Sequence, residues 1–193
     1  MNDLMQRRMF LLSAGGIGGA TLIAGNAVGQ EARKTDAKVV TATDAKMVWV
    51  LGARVTIRAD AKLTGGAYSV FEDLLLPGQG PPLHTHTNED ETMYVIEGEL
   101  EVVLGDQTYL VKPGDFAHMA RGVPHRFKNV SDKPTRMLLS YSPGGFEQWF
   151  LDVGTPVVDP LEMPPVVTAA DIQKAVKAAE GFGVIFAKKP PAK

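Results

Sequence analysis

The 193 residues include no cysteine. That absence excludes disulfide staples, thiolate metal sites, catalytic thiols and a lipid-modified N-terminal cysteine, so any metal held here takes nitrogen and oxygen ligands. An excess of one charge is missing too: 20 Lys and Arg stand against 22 Asp and Glu, a net charge of -2. Nothing in that balance would neutralise phosphates, which argues against nucleic acid or an acidic lipid surface as a partner. No clean apolar run reaches the roughly 20 residues of a membrane-crossing helix. The nearest candidate, Met9 to Ala24, is diluted by Gly15, Gly16, Gly18 and Gly19. Histidine is scarce at 4 residues, so its placement is informative. What is present is an ordinary globular balance, 45% hydrophobic and 22% charged, with enough apolar mass for one sizeable core.

Residues 1–27 differ from the rest. Arg7-Arg8 precede the Gly/Ala-rich run, and Gly25 and Ala27 are small enough to serve a signal peptidase. This stretch resembles a twin-arginine export leader, which implies a periplasmic or secreted protein, exported folded and without a stable membrane anchor. The same glycines do not form a nucleotide loop, because no strand precedes them and no helix with an acidic partner follows. Residues 28–37 are polar and lack periodicity, as expected of a flexible N-terminus after cleavage.

From residue 38 to residue 143 the pattern is that of strands. Val55 and Ile57 alternate with polar neighbours, Tyr68, Val70 and Leu74 share one parity, and Leu100, Val102 and Leu104 stand opposite Glu99 and Glu101. Gly65-Gly66, Pro77-Gly78, Gly105-Asp106, Pro113-Gly114 and Gly122-Val123-Pro124 punctuate them. About nine short strands at such spacing predict an all-β sandwich or small barrel. Phe116, Met119, Phe127, Met137 and Leu139 are expected in its core. Glu97, Glu99 and Glu101 read as a solvated strand face. Residues 144–193 read as a helical extension. Phe146, Trp149 and Phe150 fall at helical spacing and are expected to dock on the same chain. Thr168 to Asp171 begins a helix on which Ile172, Ala175, Val176 and Ala179 repeat. The proline-bearing linker 153–167 is extended, and residues 188–193 should fray.

Three histidines form a pattern. His84 and His86 lie two apart, so on a strand they face the same side. A carboxylate from Glu89, Asp90 or Glu91 can return on an adjoining strand, and His125 can close a site from a distant one. Open N/O coordination of this kind suits Fe, Mn, Ni, Co, Cu or Zn. His118 is read as structural and is left outside the site.

Glycines frame these residues. Gly78 to Gly98 reads G-x5-H-x-H-x4-E-x6-G, and Gly114 to Asn129 reads G-x5-A-x-G-x2-H-x3-N. Both stretches match the conserved motifs of the cupin superfamily, and the chain resembles its cupin_2 type. The departure is Ala120, where the family usually has proline, and it affects strand-end rigidity rather than a ligand. The resemblance implies a single cupin barrel (double-stranded β-helix, jelly roll) over 38–143 with short C-terminal helices. It also implies one divalent transition metal per chain, held by His84, His86, Glu91 and His125. Of the three rival carboxylates only Glu91 satisfies the family's six-residue interval to Gly98.

Pro81-Pro82-Leu83-His84 through Asn129, then Pro143 to Phe150 and Gly181 to Val184, are similar to the single-domain bacterial quercetin 2,3-dioxygenase-like proteins. That similarity implies an enzyme that cleaves a flavonol or related enol with O2, with Glu91 as ligand and catalytic base, acting as a homodimer. Two other functions fit the same ligands. One is a metal-dependent isomerase or decarboxylase of a small acid or sugar, which needs Arg54, Arg58 or Arg121 directed into the lumen. The other is a non-catalytic protein binding a metal or small ligand.

Overall fold

In the computed structural model, residue 35 and residues 37–187 are described, and all of them fall within the compact unit Arg33–Lys193. The leader expected over 1–27, most of the 28–37 segment and the end at 188–193 lie outside the described residues. Among the described residues ten strands run up to Ser142, most clearly alternating in burial along β3, β8 and β10: β1 (Lys46–Val50), β2 (Ala53–Ala59), then, after the one-turn helix α1 (Ala61–Thr64), β3 (Ser69–Leu75), β4 (His84–His86), β5 (Asp90–Glu97), β6 (Leu100–Leu104), β7 (Gln107–Val111), β8 (Phe116–Met119), β9 (His125–Asn129) and β10 (Thr135–Ser142). The rest of the chain adds α2 (Glu147–Val153), β11 (Thr155–Pro156), α3 (Ala169–Glu180) and β12 (Val184–Phe186). No helix among the described residues is long and apolar enough to cross a membrane.

The strands form two antiparallel sheets, a seven-stranded one in the order β11-β1-β2-β3-β10-β5-β8 and a five-stranded one in the order β12-β4-β9-β6-β7. Val55, Phe71, Met93 and Met137 of the first sheet meet Leu100, Val102 and Phe127 of the second in one core. This is the all-β architecture expected, with short helices after it. The hairpin between β5 and β6 turns at Gly98, whose φ of 82° and close approach to Thr135 leave no room for a side chain.

Four details depart from the sequence expectations. The inward parity of β3 is Ser69, Phe71, Asp73 and Leu75, not Tyr68, Val70 and Leu74. The aromatic Phe71 and the match to buried rows on β2 and β10 outweigh the simple hydrophobic count of the other face. Phe116 is 63% exposed, because β8 is an edge strand whose inward positions are Ala117 and Met119. Up to Ser142 the strands number ten, close to the nine or so expected, and among the described residues two more follow that the sequence did not indicate, since short pairings without a hydrophobic alternation leave little trace in sequence. Finally, the segment after residue 143 is not only helical: β11 pairs with β1 and β12 pairs with β4.

The expected docking holds. Phe146, Trp149 and Phe150 are buried, and the Trp149 indole N–H donates to the Ala175 carbonyl at 3.2 Å, tying α2 to α3. Helix α3 starts where Thr168 and Asp171 form a capping box. Removing the ring of fully buried Phe71 (Phe71→Ala) is expected to cost about 3–5 kcal/mol. Losing the cap (Thr168→Ala) should cost only about 1 kcal/mol. Chemical denaturation checks the order; equal losses would show α3 and the core to be one cooperative unit at the helix start.

Candidate metal centre

The five-stranded sheet supplies three imidazoles. Register pairs His84 with His125 across β4 and β9, and the two-residue strand period puts His86 on the same face as His84. The seven-stranded sheet supplies Glu91 from β5, opposite Tyr141 on β10. All four residues are buried, and one donor atom from each lies within 4.8 Å of the others. Metal–nitrogen and metal–oxygen bonds of about 2.0–2.2 Å need only a small contraction of that set.

The outer atoms of the rings argue for the same use. His84 Nδ1–H donates to the Pro82 carbonyl at 2.9 Å and His125 Nδ1–H to the Val123 carbonyl at 2.8 Å. His86 Nδ1 lies 3.4 Å from Glu89 Oε2. Each ring thus has Nδ1 occupied by, or close to, an outer acceptor and its Nε2 free to face inward, the arrangement metal-ligating histidines require. Glu91 Oε1 is buried with no hydrogen-bond partner, a costly condition that a bound cation would relieve. The donor set fits a divalent transition metal: three neutral imidazoles and one carboxylate, with no thiolate.

Electrostatics in the metal-free protein follow from burial and proximity. Burial holds His84 down to about 4, against the pull of the Glu91 charge. Glu91 is driven up by burial, but the hydrogen bond from His125 and the charges of His86, His125 and His84 outweigh this and hold it below its ordinary value. His125 is lowered by burial and raised more by that hydrogen bond and the Glu91 charge, the two side chains meeting at 3.1 Å. Without metal, the pair shares a proton that a metal must displace.

Of the other candidates, Asp90 faces outward and binds Arg121 at 2.9 Å, which holds its carboxyl at about 2. Glu89 is buried beside His86 rather than pointing at the cluster centre, so the sequence reading missed its place as an outer partner. His118 is exposed on β8. Two residues escaped the sequence reading altogether. Tyr141 is pushed well above its usual range by burial and by the charges of Glu91 and Asp73, and its ring lies 5.3 Å from that of His86. Asp73 is buried on the inward face of β3; the correct β3 parity would have found it.

A cavity of about 170 Å³ opens onto His84 and His86. Val55, Phe127, Leu139, Phe146, Trp149 and Phe150 are among its many apolar lining residues, and no Lys or Arg lines it. The three arginines that could have served as polar anchors are engaged elsewhere. Arg54 donates to the Pro160 carbonyl at 2.6 Å, Arg58 binds Glu72 at 2.7 Å and Arg121 binds Asp90.

Residues 72–141 match the Cupin_2 model, described as a cupin domain. The chain is 32% identical over 142 residues to a quercetin 2,3-dioxygenase of Bacillus subtilis, a match covering 72% of this chain and 41% of that protein. It is 36% identical over 83 residues to the polyketide synthase CurC of Streptomyces cyaneus, covering 42% of this chain and 54% of that protein. The chain therefore spans about two fifths to one half of the length of these relatives. Among solved structures, KdgF from a Halomonas species aligns with a TM-score of 0.53 at 18% identity, over 58% of this chain and 99% of that one, which is a likeness of fold.

Metal titration is expected to saturate at one divalent ion per chain, with release of a proton that comes from the His125–Glu91 pair. Because the His125 value is raised, that proton is already lost at high pH. Release measured by calorimetry in buffers of different ionisation enthalpy should therefore be greater at about pH 6 than at about pH 9. Glu89→Gln should keep the site and weaken metal binding about 10–100-fold; unchanged affinity would remove Glu89 from the centre.

Proposed function

From the premise that the chain carries a Cupin_2 domain built around a buried three-histidine, one-glutamate group, we propose that it is a metal-dependent dioxygenase. Its substrate is an enolic or phenolic aromatic molecule, a flavonol or a relative of one. The observation that carries this reading is the cavity. It is apolar, runs up to the histidines and offers no cationic side chain to a carboxylate, phosphate or sugar acid. A small-acid or sugar isomerase would want such an anchor, and Arg54, Arg58 and Arg121 are all held outside the cavity. Its volume of about 170 Å³ compares with the ~150 Å³ of an apolar cavity that accepts one benzene ring. One ring therefore fits beside the histidines, with larger substrates extending through the mouth.

A divalent metal held by His84, His86, Glu91 and His125 would act as a Lewis acid toward an oxygen of the substrate. The rest is the work of side chains. Phe127, Phe146 and Trp149 bind a flat ring by apolar contact and keep bulk water out. Glu91, ionised although fully buried, accepts the proton of the enolic or phenolic hydroxyl at a carboxylate oxygen. Tyr141 stays un-ionised beside it and adds no competing negative charge. The similarity to the Bacillus subtilis enzyme supports O2 as the second substrate of the resulting electron-rich anion.

The match to CurC favours one competing reading, a protein that holds or shapes a polyketide without consuming O2. The paired arginines Arg7 and Arg8 support export of the folded, metal-loaded protein to the periplasm.

With Fe, Mn, Ni, Co and Cu forms compared, at least one should consume O2 stoichiometrically with a flavonol or a simpler enol in an oxygen-electrode assay. If no form does so while the substrates still bind, the polyketide-type reading replaces the oxygenase. Glu91→Gln should retain part of its metal and lose on the order of 100-fold or more in kcat, the span of general-base contributions. Full turnover in that variant would take the base role from Glu91.

A further inference from the structure

Asp73 poses a problem that the metal centre does not solve. It is 4% exposed, it lines the same cavity as His84 and His86, and its Oδ1 has no hydrogen-bond partner. On β3 it takes an inward position between Phe71 and Leu75, with Val55 on one side and Met137 on the other. Neither neighbouring side chain can donate a hydrogen bond, and the Met137 sulfur is only a weak acceptor. A polar group left in this state is costly, and such groups in native proteins call for a partner that is absent from the chain itself.

We propose that the Asp73 carboxyl is the second polar anchor of the cavity, pairing with an oxygen substituent on a compact, uncharged aromatic ligand. The row of inward side chains that contains Asp73 is separated from the row that contains Tyr141 and Glu91 by the row of Phe71, Leu139 and Met93. A ligand approaching the histidines meets a largely apolar lining whose one carboxyl is Asp73, with Gln79 and Tyr141 as the other polar side chains besides the histidines.

The charge state decides which ligands qualify. Burial first, then the negative charges of Glu91 and Glu72, push the Asp73 carboxyl well above its ordinary value. That shift favours the protonated form, which can donate its hydrogen to a carbonyl or phenol oxygen and accept one from a hydroxyl. An anionic substituent would gain no counter-charge, since no Lys or Arg lines the cavity. The class selected is an aromatic molecule bearing hydroxyl, carbonyl or ether oxygen.

This inference rests on the enol- or phenol-binding reading for its ligand class, and its test is run without O2 so that the two fail separately. The probes are p-cresol and p-xylene, which have nearly the same shape and differ by one hydroxyl. Binding is followed by the fluorescence of the protein, Trp149 being part of the cavity wall, in wild type, Asp73→Asn and Asp73→Leu at matched metal content. Wild type and Asp73→Asn should prefer p-cresol. Asp73→Leu should bind p-cresol about tenfold more weakly, the size of one lost hydrogen bond, and p-xylene no more weakly than wild type. The free Asp73→Leu protein should melt at or above the wild-type temperature, because an orphaned polar group has been replaced by an apolar one. A lower melting temperature with both probes weakened alike would make Asp73 a structural residue. Unaltered p-cresol binding in Asp73→Leu, or none in wild type, would also overturn the proposal.

Discussion

The contact on which the centre depends runs between the sheets: Glu91 Oε2 stands 3.1 Å from His125 Nε2 and 3.5 Å from His86 Nε2. The histidines hang from one sheet and the carboxylate from the other, so the site exists only if the two sheets close at the right distance. Everything that sets this distance is apolar packing. Met93 and Val95 continue the inward row of the Glu91 strand, while Phe127 lies on the His125 strand beside Leu100 and Val102 of β6, all almost fully buried. Interiors packed at this density do not slide by small amounts, so the core fixes the donor positions. The polar cluster in turn is supported inside by the hydrogen bonds of the His84 and His125 outer nitrogens to backbone carbonyls and by the contact between His125 and Glu91.

The interior thereby holds two buried carboxyls pushed in opposite directions: Asp73 lines the cavity, and Glu91 belongs to the histidine cluster. Glu91 is surrounded by imidazoles, which hold its carboxyl below the ordinary value; burial and the charges of Glu91 and Glu72 push the Asp73 carboxyl well above it. The difference comes from neighbours, not from depth of burial, since both are almost inaccessible. The negative charge of Glu91 itself helps keep Asp73 protonated.

Much of this was legible in the sequence, for identifiable reasons. His84 and His86 could be placed on one face because strand parity is a strict period of two, and Thr168 with Asp171 marks the start of α3 because a capping box is a local structure. The docking of Phe146, Trp149 and Phe150 was legible because three large aromatics at helical spacing must be covered. What failed were quantities set by pairing with distant strands. The face of β3 was misjudged because Val70 and Leu74 look as apolar as Phe71 and Leu75, and only the partners β2 and β10 decide between them. Asp73 was lost with that choice. Glu89 was weighed only as a rival ligand, since no spacing rule distinguishes a carboxylate facing the cluster centre from one facing the back of His86. Phe116 was assigned to the core because sequence does not say which strand ends a sheet.

The residues after 143 make the clearest case of a long-range dependence. The strand β4 is three residues long and has a single register pair with β9, His84 with His125. Alone it would be a short sheet edge, a poor platform for two ligands. The chain returns to its other side about a hundred residues later, where Val184 pairs with His86 and Phe186 with His84. The approach is clamped by the Gly183 carbonyl, which accepts from Thr87 N and Oγ1 at 2.9 Å each, and by the Phe182 carbonyl, which accepts from Asn88 Nδ2 at 3.1 Å. A side chain at Gly183 would collide with Thr87 and Asn88 at 2.4–2.5 Å, which is why glycine stands there. Val184 and Phe186 then line the cavity next to the histidines they pair with, together with Ala175 and Ala179 of α3. The extension therefore does two things with one set of contacts: it converts the ligand strand from an edge into an interior strand, and it closes the apolar wall against which a substrate ring would lie.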